Sequence, residues 1–280
     1  MTKWICLAVT AAALSAYPVP DASAQGVQLI AHRGESADAP ENTLASVNLA
    51  WERGVPAVEI DIHLTSDNRL VVMHDPNAKR TTGVDLVLKE ATLDRIEGLD
   101  AGRWKGQKWA GEPVPTLEQV LATVPQGRKL FIEVKVGAEA IPALERAIQL
   151  YARDREGLVI ISFQADAIAE AKRRLPDIPA YYLASFKQDS TTGEWTPTLD
   201  ELIRVARETK ADGLDLSYKG PVDAEFVRRV KEAGLGMYVW TVDDPEVARQ
   251  LVEAGVDGIT TNRAAALAEE LTIATAGSQN

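Results

Sequence analysis

The stretch Val58-Glu59-Ile60-Asp61-Ile62-His63-Leu64 alternates acid or imidazole with aliphatic side chains without a break. Residues two apart on a β-strand share a face, so Glu59, Asp61 and His63 point one way and Ile60, Ile62 and Leu64 the other. In a closed barrel the aliphatic set packs under surrounding helices, and two carboxylates turn toward the axis. Working outward, apolar strand-like runs alternate with amphipathic helical runs almost to the end of the chain. The strand runs are Val27–Ala31, Val55–Leu64 with Leu70–Met73 continuing in extended form, Lys129–Val134, Leu158–Ser162, Ala180–Leu183, Gly213–Leu216, Gly236–Trp240 and Gly258–Ile259. Helices are expected over Leu44–Arg53, Thr116–Thr123 and Ala138–Arg153, and from near Ala165, Leu199, Asp223, Pro245 and Ala264. Strands alternating with helices imply a parallel sheet, and about eight such units favour closure into a (β/α)8 TIM barrel. An open doubly wound sheet would call for a glycine-rich turn after the first strand, and His32-Arg33-Gly34-Glu35 is not one.

With 280 residues and 46% hydrophobic content, the chain can bury one sizeable core. A net charge of −11 argues against a nucleic-acid binder, which would show a basic face. Residues 1–24 read as a secretory signal: Lys3 precedes an uncharged apolar run from Trp4 to Ala16, and Ala22-Ser23-Ala24 is a cleavage site ahead of Gln25. The run is shorter than the roughly 20 residues a spanning helix needs. The single cysteine, Cys6, lies in this segment, so an exported mature protein, periplasmic or secreted, would carry no thiol chemistry. Residues 25–272 are expected to form one catalytic domain. Within it, 75–115 is a polar insertion after the second strand, folded over the barrel mouth, and 273–280 form a disordered tail.

In a parallel barrel the chemistry sits at the carboxyl ends of the strands. Glu59 and Asp61 end one strand, and Phe131-Ile132-Glu133-Val134-Lys135 places Glu133 and Lys135 at the end of the next. Like charges so close in a dry interior are costly unless a cation joins them. Oxygen-only ligation suits Mg²⁺, Ca²⁺ or Mn²⁺ rather than zinc, and one ion, Mg²⁺ or Ca²⁺, is expected; salt bridges to inward Lys or Arg would be the non-functional solution. His32 closes the first strand beside Arg33, and His74 closes the Leu70–Met73 run beside Asp75. Two mouth histidines near a carboxylate cluster suit proton transfer. Arg33 and Lys135 suit an anionic oxygen, and the set as a whole suits metal-assisted cleavage of a phosphodiester.

The sequence resembles the glycerophosphodiester phosphodiesterase family over nearly the whole expected mature chain. The likeness rests on His32-Arg33-Gly34, Pro40-Glu41-Asn42-Thr43, Glu59 to Thr65, Val72-Met73-His74-Asp75, Glu133-Val134-Lys135, Val239-Trp240-Thr241-Val242 and Gly255 to Ile259, in this order. It implies a TIM barrel with an insertion after the second strand, and a small-molecule glycerophosphodiester as substrate. It also implies acid–base roles for His32 and His74, one metal on Glu59, Asp61 and Glu133, and substrate binding by Arg33, Lys135 and an aromatic wall at Trp240. Which histidine is acid and which base does not follow from sequence. Glu41 is read either as site support or as a helix-entry residue, and His63 is left unassigned. One departure from the family pattern is Asn262, where an Asp is expected. Two rival readings are a phospholipase D-like enzyme acting on lysophospholipid or sphingolipid, with Trp104 and Trp109 as its rim, and a non-catalytic binding protein.

Overall fold

The computed structural model describes residues 26–277. Eight parallel strands close on themselves: β1 (Gln28–Ala31), β2 (Ala57–Leu64), β3 (Lys129–Val134), β4 (Leu158–Ser162), β5 (Ala180–Ala184), β6 (Gly213–Ser217), β7 (Gly236–Trp240) and β8 (Gly258–Thr261). β1 pairs with both β2 and β8, with Ile30 opposite Ala57 and Gln28 opposite Gly258, so the eight parallel strands form a closed barrel, and a short strand, Leu70–Val72, pairs antiparallel with the end of β2. Eight helices cover it: α1 (Leu44–Glu52), α2 (Leu117–Leu121), α3 (Ile141–Tyr151), α4 (Ala165–Arg174), α5 (Leu199–Thr209), α6 (Ala224–Glu232), α7 (Pro245–Ala254) and α8 (Ala264–Gly277). The fold is the expected (β/α)8 barrel. Thr43 starts α1 through a capping box with Ser46, which satisfies backbone donors that a helix start leaves open.

The alternation read from β2 holds in three dimensions. Ile60 and Ile62 belong to the main core between strands and helices, together with Leu130, Ile132 and Ile160. The opposite faces fill the barrel with Ile30, Phe131, Val159, Tyr181 and Tyr238. Tyr181 and Tyr238 stack with centroids 4.8 Å apart, and Phe131 tilts against Tyr238 at 5.7 Å. Glycines make room for these rings: a Cβ on Gly258 would lie 2.4 Å from Tyr238 Cδ1 and 3.2 Å from the Gln28 carbonyl. Gly258→Ala is therefore expected to destabilise the barrel by about 1–3 kcal/mol, as overpacking does. A thermal melt matching wild type would contradict this packing account.

Three segments differ from the sequence reading. Helix α8 carries its backbone through 273–277, inside the stretch expected to be a disordered tail. Ala274 and Ala276 have high helix propensity and extend a helix already anchored by buried Leu267 and Leu271. Between β5 and α5 a two-stranded hairpin, Lys187–Gln188 with Trp195–Thr196, forms where no element was expected. The insertion 75–115 is more than polar cover, because Leu88, Leu93, Ile96 and Val114 join Val71 and Met73 in a small core of their own. Residues 1–24, read as a leader, lie outside the described residues, as do 278–280. No helix among the described residues is long and apolar enough to cross a membrane.

Candidate active site

The strand ends deliver the expected carboxylates to one place. Glu59, Asp61 and Glu133 each offer an oxygen, and these atoms all lie within 4.8 Å of one another. Asp61 stands opposite Glu133 in the β2–β3 register, which is why two neighbouring strands present their acids at one level. Burial pushes the Glu59 carboxyl well up, helped by Asp61 and Glu133. Glu133 is raised for the same reasons, burial first and then Asp61. Burial acts upward on Asp61 too, but Lys135 and Arg33 outweigh it and hold that carboxyl far below its usual range. Glu59 Oε1 is buried with no hydrogen-bond partner. A cluster of three converging buried carboxylates that leaves Glu59 Oε1 unpaired fits a hard divalent cation, and these three residues could hold one.

The salt-bridge alternative is also partly present. Lys135 Nζ lies 2.7 Å from Glu133 Oε1 and 3.3 Å from Asp61 Oδ1, and Arg33 Nε lies 3.2 Å from Asp61 Oδ2. Two cations against three buried acids do not satisfy the cluster, and Glu59 Oε1 is left without a hydrogen-bond partner.

The loop after β1 is bent to present its groups. Arg33 and Asn42 both adopt left-handed backbone, with φ of 57°. The Arg33 amide donates to Glu59 Oε2 at 2.9 Å, and Asn42 Nδ2 donates to Asp61 Oδ2 at 2.7 Å while its Oδ1 accepts from the Asp61 amide. Glu41 accepts from Arg33 Nη1 at 2.8 Å and from Arg80 of the insertion, which sets it among the groups around Arg33. Arg80 also grips Asp75 at 2.7 Å, and its bond to Glu41 ties the insertion to the loop after β1.

His32 and His74 are each held at Nδ1. His74 Nδ1 lies 2.6 Å from Asp75 Oδ1, and His63, unassigned from sequence, holds the His74 carbonyl through Nε2 at 3.0 Å. His32 Nδ1 lies 2.7 Å from Asn262 Oδ1. Asn262 Nδ2 donates to Asp243 Oδ2 at 2.6 Å, so its oxygen must face His32. His32 then carries its proton on Nδ1 and keeps Nε2 as the free nitrogen. Burial lowers the imidazole to about 4, with Arg33 adding to the shift, so His32 is neutral at physiological pH. The departure at Asn262 thus bears directly on a candidate catalytic residue. Asp243 was not found from sequence, and the only signal for it was its place just past the β7 end.

His32, Arg33, Glu59, His74, Glu133, Lys135 and Trp240 all line one cavity of about 250 Å³. The expected site residues are brought together, and Asp61 sits immediately beneath, fully buried. Trp240 meets Phe163 edge-on at 5.6 Å and donates its indole N–H to the Asp215 carbonyl at 3.1 Å, forming an aromatic wall. Phe163 and Asp215 complete that wall and were missed from sequence.

The glycerophosphoryl diester phosphodiesterase family model matches residues 32–266, most of the chain and every group just described. The chain belongs to that family. A glycerophosphodiester phosphodiesterase of Caldanaerobacter subterraneus is 35% identical over 241 residues, covering 84% of this chain and 93% of the relative. One of Bacillus subtilis is 30% identical, covering 83% and 82%. Among solved structures, an Oleispira antarctica phosphodiesterase in complex with the product sn-glycerol-3-phosphate superposes with a TM-score of 0.79. It is 30% identical over 90% of this chain and 99% of its own. The chain is accordingly an enzyme of the glycerophosphodiester phosphodiesterase class.

Proposed function

We propose that the enzyme hydrolyses water-soluble glycerophosphodiesters to glycerol 3-phosphate and an alcohol, with Mg²⁺ or Ca²⁺ held by Glu59, Asp61 and Glu133. The observation that carries this reading is the convergence on one cavity of a three-carboxylate cluster, two histidines and two cations. The bound ion would supply positive charge to a phosphate oxygen and lower the barrier to attack on phosphorus. Arg33 and Lys135 share that work at the other oxygens and orient the diester.

His32, neutral and with Nε2 free, takes the proton of the glycerol 2-hydroxyl. That oxygen attacks phosphorus, a cyclic phosphate forms, and the bond to the alcohol oxygen breaks. His74, backed by Asp75, gives the departing oxygen its proton. Water then opens the ring: His74 takes a proton from water and His32 returns one to the 2-oxygen. Holding the nucleophile on the substrate itself gains the proximity advantage of an intramolecular reaction.

The phospholipase D-like reading needs an apolar rim. Trp104 is 42% exposed, but Lys105 lies over its ring, so the rim is of mixed character. Choline release from glycerophosphocholine is expected to exceed that from lysophosphatidylcholine micelles by at least about tenfold in kcat/KM. The reverse order would move the enzyme to the lipid class. We also propose that residues 1–24 direct export; a mature protein beginning at Gln25 by mass spectrometry is the expected result.

A further inference from the structure

The residues lining the cavity divide into two arcs. Loops and strand ends of β1 to β3 carry His32, Arg33, Glu59, Glu133 and Lys135, with His74 beside them. The arc from β4 to β8 carries Ile161, Phe163, Leu183 and Trp240 with two threonines, Thr241 and Thr260, and within it stands one carboxyl, Asp215. Asp215 is 1% exposed, and its Oδ1 has no hydrogen-bond partner. It lies on β6 between Leu183 and Tyr238, its register neighbours, where a leucine would complete the apolar wall. A buried polar atom left unpaired costs free energy that nothing in the barrel offsets, so a ligand is the natural partner.

The chemistry of that ligand follows from the surroundings. An anionic phosphate belongs beside the two cations of the cavity, Arg33 and Lys135. Burial pushes the Asp215 carboxyl up to about 8, with Glu133 adding to the shift, so the group is a neutral acid that both donates and accepts. A neutral acid has no particular attraction for a quaternary ammonium, which has no N–H to offer. It pairs well with an alcohol. The depth of Asp215 places it against the small, constant part of the substrate, whereas leaving alcohols of different size need the open mouth.

We propose that Asp215 recognises the glycerol unit by hydrogen-bonding the terminal hydroxyl that does not attack phosphorus, and thereby sets the preference for glycerol diesters over analogues lacking or esterifying that hydroxyl. This inference rests on the proposed hydrolase function and names a specificity residue for it. A site built to bond a hydroxyl strongly rejects the analogue without one, because its own polar group is then left unpaired.

The test compares kcat/KM for glycerophosphocholine and for the propane-1,2-diol diester of phosphocholine, which keeps the attacking 2-hydroxyl and lacks the terminal one. Wild type is expected to favour the glycerol diester by roughly 100-fold. In Asp215→Leu the ratio is expected to collapse to within about fivefold, chiefly through loss on the glycerol diester. Asp215→Asn, which keeps a donor and an acceptor, is expected to retain most of the preference. Asp215→Ala is read in the same way as Asp215→Leu should the larger side chain disturb the tyrosine layer. A leucine or alanine variant that keeps the wild-type ratio would overturn the inference. So would one that instead changes the preference between choline and ethanolamine diesters, which would put Asp215 against the leaving group. Wild type inactive on both diesters would overturn the hydrolase reading itself, and this failure is seen before any variant is measured.

Discussion

Replacing His32 with alanine is expected to lower kcat for glycerophosphocholine by about 10²–10⁴-fold, the usual worth of a positioned general base, with KM changing little. The tautomer of His32 fixes which nitrogen can act. Asn262 accepts from Nδ1, Asp243 fixes the direction of the Asn262 amide, and the free Nε2 is left to the cavity. Burial and Arg33 keep the ring neutral down to about pH 4, so no activation by deprotonation is needed at physiological pH. A His32→Ala enzyme with near wild-type kcat would remove His32 from the proton path. His74→Ala is expected to fall comparably, with a smaller deficit on diesters whose leaving alcohol is acidic enough to depart without a proton.

Glu59→Gln is expected to reduce turnover to background and to abolish the response to metal. The Glu59 carboxyl is raised by burial and by Asp61 and Glu133, so the cluster without a cation sits under like-charge stress. Gln relieves that stress while removing an ionic ligand, so the metal-free variant should melt no lower than metal-free wild type. The difference appears on loading. An ion present at 100 times its Kd stabilises the native state by about 2.7 kcal/mol, which for a chain of this size raises Tm by roughly 5–10 °C. Wild type should show that rise with Mg²⁺ or Ca²⁺ and Glu59→Gln should not. An equal rise in both would place the ion elsewhere.

The parts of the site that sequence revealed are those governed by a short period. The two-residue alternation of β2 put Glu59 and Asp61 on the inner face, and the same alternation in β3 put Glu133 and Lys135 beside them. Asp215 obeys that rule as well: Gly213-Leu214-Asp215-Leu216 points its acid inward as Val58-Glu59-Ile60 does, but a lone acid between leucines has no partner in sequence to mark it. Contacts that close the barrel were not legible. Asn262 reaches His32 across 230 positions, and only the β1–β8 pairing brings them together. Arg80 is similar, since its grip on Glu41 and Asp75 depends on how the insertion folds back over the mouth. The insertion's own small core was hidden because its apolar residues, Leu88, Leu93 and Ile96, are spread among charges with no regular strand or long helix to order them.

The central claim is that a cation on Glu59, Asp61 and Glu133 and the two histidines together cleave a glycerophosphodiester on the alcohol side of phosphorus. Phosphorus NMR of glycerophosphocholine incubated with metal-stripped and with reloaded enzyme tests it most directly. The spectrum is expected to stay unchanged without metal and to show conversion to glycerol 3-phosphate on adding Mg²⁺ or Ca²⁺, with a cyclic phosphate as the transient species. Full turnover in excess chelator, or phosphocholine as the product, would contradict it.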